Sequence, residues 1–115
     1  MKNPDWYAAK TIYKTPTVED GRPTTVFEER VVLFRATDFD DTIAKAEAEA
    51  AEYCRTISGT EYLGFVDVYH VGDEAIGHGT EVYSLMRHSS LSDKDYLDHF
   101  YDDGKERRQI SKGAA

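Results

Sequence analysis

The chain has 115 residues, a net charge of −8, 40% hydrophobic and 12% aromatic residues, which fits one ordinary domain and not a disordered segment. A chain this long buries about 65% of its extended-chain surface, enough for one core. There is no apolar run of membrane-spanning length, the polar start Met1-Lys2-Asn3-Pro4-Asp5 has no apolar stretch behind it, and Cys54 is the single cysteine. The expectation is therefore a cytoplasmic protein with no membrane association, no secretory signal and no intrachain disulfide.

Trp6 to Tyr13 is aromatic and β-branched without Gly or Pro, and reads as a first strand. Thr15 to Pro23 holds two prolines, Gly21 and the acidic pair Glu19-Asp20, and reads as a loop, long for a hairpin. A second strand follows from Thr25 to Ala36, with Phe27, Glu29, Val31 and Leu33 in one phase and Val32 and Phe34 in the other. A bulge near Glu28-Glu29-Arg30, or burial of both faces at Val31–Phe34, would account for that mixture.

Asp38 is a good helix N-cap, with Asp41 three residues on. Ile43, Ala46, Ala50, Cys54 and Ile57 then form one apolar stripe of 3.6-residue period, Lys45, Glu47, Glu49 and Glu52 face away, and Gly59 supplies the left-handed stop. Glu61 to Val71 reads as a third strand, apolar on both faces and so central, followed by a Gly-rich loop over 72–79 and a fourth strand from Thr80 to about Arg87. Ser92 caps a last short helix, with Asp95 three residues on and Leu91 and Tyr96 at staple spacing, and Gly104 ends it.

This order predicts an α+β fold: a two-layer ββαββα domain with a four-stranded antiparallel sheet and helices on one face. The strand order is 2-1-3-4 or, as runner-up, a permuted ferredoxin-like 1-2-4-3. Residues 1–104 form a single domain and 105–115 a basic, flexible tail. The charge is −5 over residues 38–61, −7 over 62–104 and +3 over 105–115, so the body repels phosphate backbones and no nucleic-acid partner is expected.

Trp6-Tyr7-Ala8-Ala9-Lys10, Glu28 to Ala36 leading into an Ala-rich helix, Gly64-Phe65-Val66-Asp67-Val68 and Gly79-Thr80-Glu81-Val82-Tyr83-Ser84 resemble a family of small bacterial proteins known only as a domain of unknown function. The resemblance covers Trp6 to about Arg108. It implies a bacterial stand-alone domain and carries over no catalytic or binding residue.

Few residues point to chemistry. His70, Asp73, Glu74 and His78 are metal-ligand types near one loop, but no recognised ligand spacing is present, and a solvated acidic loop is the favoured reading; no metal and no cofactor is expected. Asp67 sits within an apolar strand, where a desolvated carboxylate can act as a base; Arg30, Arg35 or Arg87 would neutralise it as a structural pair. Glu28, Glu29 and Glu81 would make a hydrolase-like carboxylate pair only if two strands brought them together. Cys54 lies on the helix stripe and reads as a core thiol, and Ser89 and Ser90 lack the surroundings of a nucleophile.

The strand aromatics form a different kind of signal. Trp6, Tyr13, Phe27, Tyr69 and Tyr83 are candidates for an exposed interface on the uncovered sheet face. The preferred function is a non-catalytic module that binds a protein partner or a second copy of itself. The alternative is a small enzyme or ligand-binding domain with Asp67, His70 and His78 around a site between the open sheet face and the 72–79 loop.

Overall fold

The computed structural model describes residues 3–72, 76–101 and 104–106. The elements are β1 (Asp5–Glu19), β2 (Arg22–Ala36), α1 (Phe39–Thr56), β3 (Glu61–Gly72) and α2 (Asp93–Phe100). The chain divides into two compact units between Ser84 and Leu85. None of the described helices is long and apolar enough to cross a membrane.

The first unit is an antiparallel three-stranded sheet in the order β2-β1-β3, with α1 across one face. β1 and β2 pair without interruption from Asp5↔Ala36 to Glu19↔Arg22. The segment 15–23 is therefore not a long loop. Asp20 and Gly21 make a two-residue turn, both with positive φ, 53° and 75°, as the primed hairpin turns require. The Asp-Gly pair was the sequence signal for it. Pro16 and Pro23 are accommodated because both lie beyond Lys14↔Glu61, where the sheet has narrowed to two strands and each keeps an open side.

The ladder of β2 contains no bulge. Its even-numbered residues from Val26 to Ala36 turn toward α1, and its odd-numbered residues from Phe27 to Arg35 are exposed. The mixed phase of the sequence comes instead from polar groups on the helix side. Arg30 and Glu28 sit there because α1 offers them partners: Arg30 forms a bidentate pair with Glu49 at 3.0 and 3.2 Å, and Glu28 accepts a 2.6 Å hydrogen bond from the Tyr53 hydroxyl. Glu47 likewise accepts from the Tyr62 hydroxyl. Glu47 and Glu49 thus turn toward the sheet rather than away from it.

The capping of α1 follows the sequence. The Asp38 carboxylate accepts from the Asp41 N–H at 2.8 Å, while the Asp41 carboxylate accepts from the Thr37 N–H at 2.9 Å. Thr42, Ala46 and Ala50 are the buried residues of the helix. Cys54 is only half-buried, and Ile57 is exposed at the C-cap, where the backbone has already left the helix. The small stripe lets α1 approach Tyr7, Ala9, Thr11 and Tyr13 of β1, which are all buried. Tyr13 is 0% exposed; its hydroxyl bonds the buried Thr11 hydroxyl at 2.6 Å and accepts from Arg30 at 3.3 Å.

Of the two strands expected in the middle, β1 has a neighbour on each side, while among the described residues β3 pairs only with β1. The expected fourth strand is absent among the described residues: 80–87 pair with nothing in a ladder. A turn closed by the Thr80 N–H on the Gly77 carbonyl starts this segment, and the side chains of Glu81 and Tyr83 reach the surface of β3 at Tyr69 and Asp67. Tyr83 places its ring 6.1 Å from that of Tyr69 and donates to Asp67. Asp73 and Glu74 lie outside the described residues.

In the second unit, Ser92 caps α2 by accepting from the Asp95 N–H at 3.2 Å, and Lys94 pairs with Asp98 one turn on. Arg87 donates to the hydroxyls of Tyr96 and Tyr101 and lies 4.2 Å above the ring of Phe100.

Candidate functional face of the sheet

Alternation along the three strands sorts their side chains onto two faces. Tyr7, Thr11 and Tyr13 of β1 and Tyr62, Val66, Val68 and His70 of β3 share the α1 side. Trp6, Ala8, Lys10 and Lys14 of β1 share the outer side with Phe27, Glu29, Val31, Leu33 and Arg35 of β2, and with Asp67 and Tyr69 of β3.

A charged and phenolic row crosses the middle of this outer face. Lys10 pairs with Glu29 of β2 at 2.5 Å and lies opposite Asp67 of β3 in the ladder. The Asp67 carboxylate accepts a 2.5 Å hydrogen bond from the Tyr83 hydroxyl, and the Lys10 ammonium sits 5.8 Å from the centre of the Tyr83 ring. Glu81 accepts from the Tyr69 hydroxyl, which holds that phenol above its ordinary pKa. The members of the row partner one another. None of the three arginines foreseen as neutralising Asp67 does so: Arg30 is on the α1 side, Arg35 lies over the Trp6 ring, and Arg87 is held by tyrosines of the second unit.

Apolar side chains flank the row on both sides. Phe27 is 64% exposed, with Val31 and Leu33 exposed beside it on β2; Phe65 is 50% exposed, with Leu63 beside it on β3. The β3 pair is presented by an irregularity: the register with β1 shifts between Thr11↔Val66 and Tyr13↔Tyr62, and Gly64 takes φ +79° within it.

The remaining candidates separate. His70 lies on the α1 side at the far end of β3, stacked on Tyr7 at 4.8 Å, with Nε2 2.5 Å from the Asp5 carboxylate. That hydrogen bond is the main cause of the lowered Asp5 pKa. Asp67 and His70 thus leave the sheet in opposite directions, and His78 is exposed in the turn that precedes Thr80. Glu28 and Glu29 are likewise on opposite faces. Trp6 and Tyr69 are half-buried on the outer face, Phe27 is open, and Tyr83 lies across the face as a cover; Tyr13 is in the core. At the centre of the row, Lys10 was not singled out from sequence and Glu29 was considered only as part of a carboxylate pair, because only the hairpin register brings the two diagonally together.

Among the described residues, no three of His, Cys, Asp and Glu come together as a metal-holding group. Among the described residues, open depressions of about 430 Å³, beside Arg87, Leu91 and Tyr96, and about 510 Å³, at the hairpin turn, do not include Asp67, His70 or His78 in their linings.

The elements that build this face are also those a family shares. Residues 6–84 match the family model of a domain of unknown function, DUF4288. The chain belongs to this family. The DUF4288 match runs from the first outer-face residue of β1, Trp6, to the end of the first compact unit, and so includes the Tyr83 cover. Beyond DUF4288, no curated protein and no solved structure matches the chain.

Proposed function

We propose that this DUF4288 domain is a non-catalytic binding module that docks a basic protein partner on the outer face of its sheet. The observation that carries the reading is the flanking of one self-satisfied charged row by two exposed apolar groups, Phe27-Val31-Leu33 and Leu63-Phe65. Apolar anchors around a hydrogen-bonded polar centre are the usual composition of a protein interface. The net charge of −8 favours encounter with a basic partner. A catalytic role has less support, since Asp67, His70 and His78 do not converge.

Phe27→Ser and Phe65→Ser test the reading. Both positions are exposed, so each change should alter stability by no more than about 0.5 kcal/mol. In a pull-down from native cells the wild-type domain should retain a basic partner that both variants lose. Retention of that partner by folded variants would refute the assignment of the face.

A further inference from the structure

Among the described residues, β2 has a neighbour on one side only. Every second residue of a strand turns its N–H and C=O away from the neighbour it already has, so β2 presents a row of donors and acceptors along this edge, and the Arg35 carbonyl already accepts from the Lys45 ammonium of α1 at 2.7 Å. Sheet edges are usually blunted by bulges, prolines or lysines. The other edge strand, β3, carries register shifts near both its ends. β2 carries none: from Glu28 to Ala36 it is regular, with no proline, glycine or lysine, and it includes the run Val31-Val32-Leu33-Phe34.

We infer that this edge pairs with the same edge of a second copy of the chain, antiparallel about a two-fold axis at Val32. The inference rests on reading the domain as a binding module but assigns the contact to the sheet's edge instead of its face. A perpendicular two-fold axis requires residues of like face to oppose each other. With the axis at Val32, residue numbers across the join sum to 64. On the outer face, Glu29 then opposes Arg35 of the second copy, Arg35 opposes its Glu29, and Val31 and Leu33 oppose each other. On the α1 side Val32 meets Val32, and Arg30 lies beside Phe34. The charged pair of Glu29 with Arg35 occurs twice, as self-complementarity demands.

Neighbouring registers lose this match. Moving the axis one residue back sets Glu29 against Leu33, and one residue forward sets Arg35 against Val31. An axis at Glu29 opposes two like carboxylates, and one at Arg30 two guanidiniums. The side chains concerned are already aligned along the outer face: Glu29 is held by Lys10 at 2.5 Å, and Arg35 lies over the Trp6 ring at 5.2 Å. Pairing would join two three-stranded sheets into one six-stranded sheet with both copies of α1 on the same side.

Light scattering and sedimentation on the full chain test the join. The wild-type chain should be a dimer. Glu29→Arg or Arg35→Glu alone places like charges opposite each other twice and should raise the dimer Kd about tenfold or more. The double swap, E29R with R35E, restores opposite charges in the same register and should recover the dimer. Circular dichroism confirms that each variant is folded. A wild-type chain that stays monomeric at every soluble concentration overturns the inference, as do single reversals without effect or a folded double swap that stays weak. Phe65→Ser should dimerise normally; a dimer lost through Phe65 would place self-association on the face and also overturn it.

Discussion

The phenol of Tyr13 is the best-connected polar group in the core of the first unit. It joins Thr11 of its own strand to Arg30 of the next, within a shell completed by the rings of Tyr53 and Tyr62. Tyr13→Phe should cost about 1–3 kcal/mol in urea unfolding, because the buried Thr11 hydroxyl is left without its partner. The neighbouring phenols predict an alkaline limit. Burial, then hydrogen bonding to Glu28 and Glu47 respectively, raises Tyr53 and Tyr62 to about 12 from 10.0. The folded state therefore holds these protons more tightly than the unfolded chain does. Their contribution is complete below pH 10 and is lost as the pH rises toward 12. Tyr53→Phe combined with Tyr62→Phe should flatten the fall in melting temperature across that window. At this scale the sequence was partly legible. Asp67, Tyr69 and Tyr83 were noticed and do meet; Tyr13 was assigned to the surface because Trp6 and Tyr7 put aromatics in both phases of β1, and composition cannot say which phase the helix covers.

At the scale of elements, α1 was the most legible piece, since an aspartate cap and an alanine stripe are local signals. Asp38→Ala removes the acceptor of the Asp41 N–H and should lower stability by about 1 kcal/mol, read as a drop in melting temperature. Its charged flank was less legible. Glu47 and Glu49 looked solvent-facing by periodicity, yet long side chains reach across to Tyr62 and Arg30 at the sheet. The hairpin was hidden by its own prolines, which suggested a loop although the Asp-Gly turn between them specified tight pairing. That misreading propagated: without the β1–β2 register, Lys10 and Glu29 had no reason to be considered together. The fourth strand failed for another reason. Thr80 to Arg87 has strand-like composition, but the side chains of Glu81 and Tyr83 find partners on the outer side of Tyr69 and Asp67, and this use competes with edge pairing.

For the whole molecule, the α+β class and the antiparallel sheet were readable from element order, and the family match over residues 6–84 agrees with the resemblance drawn from the same strands. The division of the chain at Ser84 was not readable, because nothing in composition changes there. One consequence follows from the narrowing of the sheet past Lys14↔Glu61, where β1 and β2 continue alone to Asp20-Gly21. Residues 16–25 are exposed and, among the described residues, are held by a single ladder. In hydrogen–deuterium exchange, the amides of 17–24 should take up label well before those of 7–13, although both stretches belong to the same continuous strand pair. The hairpin would then breathe from its tip while its base stays closed, so a peptide grafted between Asp20 and Gly21 should leave the base and its helix undisturbed.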